Sequence, residues 1–208
     1  MTLELVIAYF DLFALGVFAA SGALAAAAKR LDILGLILFG TITGVGGGTL
    51  RDLLLQAPVF WISDTRYLWV CIVVSALSWY IVPALSARQR WLLWADALGL
   101  SLFCVLGCAK AAEFGVPWVI AIVMGVMSAS FGGLIRDTLL QREAVALGRE
   151  IYVTAALAGA ASYAALMELA VMPAEYALLA AMIPALLLRG GALLWGWRLP
   201  RYRRLGES

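Results

Sequence analysis

The chain has 208 residues, 64% hydrophobic and 13% charged, with a mean hydropathy of +0.97 and a net charge of +2. A soluble domain carries about 25% charged residues, so this composition excludes a soluble fold, and the near-neutral charge gives no basic field for nucleic acid. The absence of histidine removes the usual general base at neutral pH and the commonest transition-metal ligand; with no nucleophile–base set or metal cluster in the sequence, an enzyme is not expected.

Apolar runs near or above the ~18 residues needed to cross a bilayer predict seven spans, at 3–28, 33–57, 66–84, 91–112, 117–141, 150–169 and 175–197. In the first, Ala23 to Ala28 mimics a signal-cleavage region. Glu4 and Asp11 precede it and Lys29–Arg30 follow it, the reverse of a secretory signal, so a retained helix is expected. The second span carries Gly40, Gly44 and Gly46–Gly47–Gly48, then Arg51–Asp52, and the fifth repeats the pattern up to Arg136–Asp137. Trp61, Trp69, Trp91 and Trp94 read as interface anchors. Cys71, Cys104 and Cys108 lie in apolar stretches without CxxC spacing and read as free thiols. In the seventh span Pro184 predicts a kink, and Arg189 reads as reaching towards the inner interface.

The connections divide the charge. One side collects Lys29, Arg30, Arg88, Arg90, Arg142, Arg149, Arg198, Arg201, Arg203 and Arg204, and the other has Arg66 near a helix end. The positive-inside rule makes the first side cytoplasmic, with the N-terminus outside and the C-terminus inside.

A shift of 85 residues carries Arg51–Asp52 onto Arg136–Asp137 without a gap. The same shift pairs Asp11 with Asp96, Phe18 with Phe103, Gly22 with Gly107, Gly40 with Gly125, Gly47–Gly48 with Gly132–Gly133, and Tyr67 with Tyr152. Each copy holds three spans, and an odd number makes the second enter from the opposite side. The expected fold is therefore all-α integral membrane: seven transmembrane helices as a 3+3 inverted-topology repeat plus a seventh. The units are residues 1–90, 91–172 and 173–208. Such repeats place a pathway near mid-membrane at their interface, often on interrupted helices. Small residues four apart allow close helix approach, and the triple glycine weakens the helix, so a bent or unwound segment is expected there.

Arg51, Asp52, Arg136, Asp137, Asp11, Asp96 and Lys110 lie within spans, where an ionisable group marks a site by default. At ~1.5 Å per residue, Arg51 falls about 9 Å to the outer side of mid-span and Arg136 about as far to the inner side. Adjacent helix residues point apart, so Asp11 is the expected partner of Arg51, and Asp96 of Arg136. Structural reading makes these pairs register devices and Lys110 a snorkelling side chain; functional reading places them along a pathway.

The double Gly-Gly-x-x-Arg-Asp motif, the inverted repeat and the outside N-terminus resemble the prokaryotic trimeric intracellular cation (TRIC) channels, also labelled a glycine-transporter-domain family. The resemblance runs from about Leu3 to Arg198. It implies a homotrimer in the inner membrane among membrane lipids, with a potassium-conducting pore in each protomer. The second and fifth helices would line that pore through Gly46, Gly47, Gly48, Arg51 and Asp52, then Gly132, Gly133, Arg136 and Asp137. Thr41, Thr43, Thr49 and Ser128 would supply hydroxyls and Phe131 an apolar plug. Ala129–Ser130–Phe131 stands where the first copy has Gly44–Val45–Gly46, and the animal channels' Lys-Glu-Val signature is absent. No cofactor is expected beyond permeant monovalent cations. A carrier for a small solute such as glycine suits the same repeat.

Overall fold

The structure, a computed structural model, describes residues 3–81, 88–142 and 151–198. The expected basic residues Arg149, Arg201, Arg203 and Arg204 lie outside the described residues, as does most of the fifth connection. Eight α-helices are formed among the described residues: α1 (Leu3–Ala28), α2 (Ile33–Leu54), α3 (Phe60–Ser63), α4 (Arg66–Ile81), α5 (Arg88–Glu113), α6 (Trp118–Leu139), α7 (Val153–Glu168) and α8 (Ala174–Trp195). Five of them, α1, α2, α5, α6 and α8, are long and apolar enough to cross a membrane. The described parts of α4 and α7 are apolar and 16 residues each, about 24 Å at 1.5 Å per residue against a hydrocarbon core of about 30 Å.

The single-turn α3 was not expected. It lies in the connection between the second and third spans and carries no periodic pattern. Two further differences concern α2 and α6. Both are unbroken α-helix through their glycines, so the expected unwound segment with freed carbonyls does not form. Intrahelical hydrogen bonding keeps the backbone groups of these glycine segments satisfied, which outweighs the weak helix propensity of glycine in an apolar setting. Helix α8 likewise continues through Pro184.

Local chemistry sets the ends of the motif helices. Asp32 caps α2 by accepting from the Gly35 amide at 2.8 Å. Both α2 and α6 stop in the same way, with Gln56 and Gln141 left-handed at φ +54° and +50°. The Ala57 and Arg142 amides then reach back to the Asp52 and Asp137 carbonyls, each at 2.9 Å.

The contacts repeat with the sequence. Helices α1, α2 and α4 pack on one another, and so do α5, α6 and α7; α1 meets α5 and α2 meets α6 across the two groups. Helix α8 packs chiefly on α5 and α7. Phe18 and Phe103, equivalent under the 85-residue shift, stack on each other with centroids 5.1 Å apart. A residue touching its own equivalent lies on the axis relating the copies. Around it the core is built of small side chains, among them Ala14, Ala19, Cys104, Cys108, Ala129 and Ala160, which let these helices approach closely.

Candidate functional site

The crossing of α2 and α6 is reciprocal. A Cβ on Gly47 would lie 2.1 Å from the Ser128 carbonyl oxygen, and one on Gly132 would lie 2.3 Å from the Thr43 carbonyl oxygen. Thr43 and Ser128 are equivalent under the shift, as are Gly47 and Gly132, and the pairing order shows the two helices crossing antiparallel. Only glycine fits at either point. Gly46 has ordinary spacing, 3.4 Å to Ile135 Cδ1, while Gly48 makes room for the Phe60 ring, whose nearest carbon would sit 2.7 Å from a Cβ. A similar pair seats α1 on α2 and α5 on α6: Gly22 faces Thr43 Oγ1 and Gly107 faces Ser128 Oγ, at 2.5 and 2.6 Å from an added Cβ. Phe131 is half-buried on α6.

A charge cluster sits towards the C-terminal end of each motif helix. In the first, the Arg51 guanidinium donates to Asp52 through Nε at 2.9 Å and Nη2 at 2.8 Å, both to Oδ1. Asp52 Oδ2 accepts from Lys110 Nζ at 3.2 Å and from the Phe60 amide at 3.0 Å. Lys110 also stands 5.6 Å from the Phe60 ring centroid, and Tyr67 meets that ring edge-on at 4.9 Å. Asp11 lies within electrostatic range of Arg51, Lys110, Asp52 and Glu113.

In the second cluster Arg136 is fully buried and grips Asp137 with two parallel bonds, Nε to Oδ1 at 2.8 Å and Nη2 to Oδ2 at 3.0 Å. Its Nη1 donates to Asp96 Oδ1 at 3.1 Å and to Ser21 Oγ at 2.6 Å. Tyr152, Asp96 and Arg136 converge on the open face of Gly133, where an added Cβ would meet the Tyr152 hydroxyl at 3.3 Å and Asp96 Oδ1 at 3.4 Å. The buried Arg189 guanidinium lies 5.0 Å from the Tyr152 ring centroid.

These contacts revise the expected pairings. The structure brings Asp96 to Arg136, and it also pairs each arginine with the aspartate that follows it. The Cβ atoms of adjacent residues do diverge, but the long arginine stem lets the guanidinium curl round to its neighbour in the last turn. In the first cluster Asp52 takes the ion pair with Arg51 that Asp11 was expected to make. Lys110 is half-buried and bonded to Asp52, and Arg189 is buried between helices instead of reaching an interface. Trp61 is no free anchor: its indole donates to Thr49 Oγ1 at 2.8 Å, tying α3 to α2. Trp94 packs on α8, 3.7 Å from a Cβ position at Gly190, whereas Trp69 and Trp91 are exposed. Of the four hydroxyls, Thr43 and Thr49 donate to carbonyls one turn back, Phe39 at 2.6 Å and Val45 at 2.7 Å. Thr41 Oγ1 and Ser128 Oγ are buried with no hydrogen-bond partner among the described residues.

Sequence reading missed Ser21 and Phe60, cast Trp61 as an interface anchor, and did not place Arg189 beside Tyr152. Tyr67 and Tyr152 carried a signal, since the 85-residue shift pairs them; a lone serine and a short apolar loop carried none.

Fold and site together define an integral membrane protein built from two copies of one helical unit that cross antiparallel at a glycine contact. A family model described as glycine transporter matches twice, over residues 8–83 and 93–168, the same 85-residue offset. A UPF0126 membrane protein of Vibrio cholerae is 38% identical over 194 residues, covering 92% of this chain and 81% of its own. The UPF0126 inner membrane protein YadS of Escherichia coli is 37% identical over 93% of this chain and 95% of its own. Among solved structures, the TRIC trimeric intracellular cation channel orthologue from Rhodobacter sphaeroides superposes with a TM-score of 0.89 at 46% identity, covering 92% of this chain and 99% of that one. A prokaryotic TRIC channel crystallised in 0.5 M KCl superposes with a TM-score of 0.87 at 27% identity over 95% of this chain and all of the other. The chain belongs to the family that this model describes, and with it to the TRIC proteins that the sequence resembles.

Proposed function

We propose that this protein is a monovalent cation channel, with potassium as the permeant ion and one pore in each protomer of a homotrimer. Its seven spans form a 3+3 inverted repeat plus a seventh, set in the inner membrane with the N-terminus outside. The observation that carries this reading is the reciprocal glycine crossing of α2 and α6, with a compensated cluster towards the end of each helix. That arrangement gives two helices from opposite sides a shared, small-residue seam and puts paired charges at both approaches. The description of the 46%-identical Rhodobacter protein as a cation channel supports it further.

In this reading Gly46, Gly47, Gly48, Gly132 and Gly133 keep the seam thin, and carboxylates neutralise Arg51 and Arg136 so that a cation is not repelled. Because the helices are unbroken, their carbonyls are engaged, and side-chain hydroxyls on the two helices, those of Thr41 and Ser128 among them, are left to touch a partly hydrated ion. The first cluster is the one that opens, since Lys110 keeps 27% side-chain exposure against 0% for Arg136. Releasing Lys110 from Asp52, or withdrawing Phe131, would clear the path. Purified protein in a planar bilayer should give unitary steps that reverse at the potassium potential. Saturable glycine counterflow in proteoliposomes without unitary currents would instead make it a carrier, as the family model's description suggests. Neutralising Arg51 or Arg136 should change conductance or open probability; no change would remove the arginines from the mechanism.

A further inference from the structure

Asp52 is fully buried, and donors from three residues converge on its carboxylate. Oδ1 accepts from Nε and Nη2 of Arg51, while Oδ2 accepts from the Phe60 amide at 3.0 Å and from Lys110 Nζ at 3.2 Å. Two of these residues are held by the chain close by. Arg51 is the adjacent residue, and Phe60 belongs to the turn α3, which the Trp61 indole ties to Thr49. Lys110 is different in kind. It comes from the last turn of α5 on a flexible four-carbon stem. Its side chain is 27% exposed, against 0% for Asp52.

The place that this ammonium fills has a chemistry of its own. The Asp52 oxygen lies on one side of Nζ, and the Phe60 ring on another, its centroid 5.6 Å away. That ring is fixed: Tyr67 meets it edge-on at 4.9 Å, and its Cε1 would stand 2.7 Å from a Cβ on Gly48. A buried carboxylate beside an aromatic face suits a primary ammonium, one accepting its N–H bonds and the other drawing its charge. Of the other charged groups in range, Asp11 attracts Lys110 and Arg51 repels it, and Glu113 lies within range of Asp11. Glu113 is exposed, three residues beyond Lys110 on the same face of α5.

We infer that Asp52 and Phe60 form a seat for a primary ammonium ion, filled by the chain's own lysine. Lys110 is a tethered cation, and a free alkylammonium ion takes the same place when the lysine side chain leaves it. Glu113, one turn further along α5, receives the displaced lysine. A potassium ion arriving from that end exchanges with Lys110 at Asp52 before it can go on. That the seat lies on an ion path rests on the channel reading; that it binds an ammonium does not.

Lys110→Ala removes the tethered ion and keeps the seat. In detergent, ethylammonium chloride should raise the unfolding midpoint of Lys110→Ala saturably above its value in equal sodium chloride. Wild type and Lys110→Met should not respond, because a long side chain fills the place in both. Adding Phe60→Leu to Lys110→Ala should weaken the apparent ethylammonium affinity about two- to fivefold, the loss expected for an exposed cation–π contact. No gain in Lys110→Ala overturns the inference, and so does an equal gain in wild type or an affinity that Phe60→Leu leaves unchanged. Should Lys110→Ala not fold in sodium chloride, recovery of folded protein purified in ethylammonium chloride supports the seat and lack of recovery overturns it. In planar bilayers, ethylammonium on one side should block potassium current through Lys110→Ala at concentrations that spare wild type. Unitary currents with neither block nor a midpoint gain leave the channel reading standing and overturn the seat. If the wild-type protein passes no current, the channel reading fails and the midpoints alone decide whether the seat exists.

Discussion

Gly47 and Gly132 show how little freedom the crossing leaves at single residues. A methyl group at either would enter a carbonyl oxygen of the opposite helix, at 2.1 and 2.3 Å, and backbone cannot step aside as a flexible side chain can. Gly47→Ala and Gly132→Ala should each destabilise by about 1–3 kcal/mol, the usual range for overpacking. Gly46→Ala, with its nearest neighbour at 3.4 Å, should be close to neutral. Thermal unfolding in detergent compares the three. The opposite sign is expected where the chain spends stability on a left-handed glutamine. Gln56 at φ +54° occupies the helix-stop position that glycine favours. Gln56→Gly should raise stability by up to about 1 kcal/mol, the left-handed penalty less the extra chain entropy of glycine, seen as a higher midpoint in the same assay. Both sets of glycines stood out in the sequence. What was not legible was the order among them, because Gly46, Gly47 and Gly48 are identical neighbours until a second helix chooses which one it touches.

At the scale of elements, α3 is the piece with the largest local consequence for its size. Its four residues place the Phe60 amide on Asp52, the Phe60 ring under Lys110 and against Gly48, and the Trp61 indole on Thr49. A one-turn helix has too few internal bonds to persist alone, so these tertiary contacts hold it. Trp61→Phe removes one hydrogen bond while keeping most of the apolar surface, and should cost about 0.5–1.5 kcal/mol. Faster amide hydrogen exchange confined to Phe60–Ser63 and the end of α2 is the expected signature; unchanged exchange there would show that the indole bond does not anchor the turn. The long helices were legible because hydropathy over some twenty residues is a local property. Helix α3 was not, since four apolar residues, Val59 to Ile62, between two spans look the same in a loop, a strand or a turn of helix.

Across the whole molecule the two copies are alike in backbone and unlike in how their charges are held. Arg136 has Asp137, Asp96 and Ser21 as partners and no exposure, whereas Asp52 shares itself between Arg51 and Lys110. Arg136→Gln breaks the ion pairs to two buried carboxylates, Asp137 and Asp96, and should cost about 3–5 kcal/mol, the range for breaking a buried pair. Arg51→Gln leaves Asp52 its lysine and should cost clearly less. Denaturant or thermal midpoints of the two variants, measured side by side, give the order; equal losses would mean that the clusters are energetically equivalent in spite of their different partners. Ser21 and its equivalent Leu106 explain part of this difference, since only the first can accept from an arginine.

The sequence alone determined the membrane class, the positions of the long helices and the duplication at an offset of 85 residues, because hydropathy and gapless spacing are written along the chain. It also located the charged residues that needed partners. Tertiary structure alone decided who those partners are. An arginine reaches far enough to choose among its own neighbour, a facing helix and a helix outside the repeat, and the choice follows from how closely the backbones meet. Glycine against carbonyl fixed that approach, and the docking of α8 on the second unit brought Arg189 to Tyr152, a contact between residues 37 positions apart that no periodicity records.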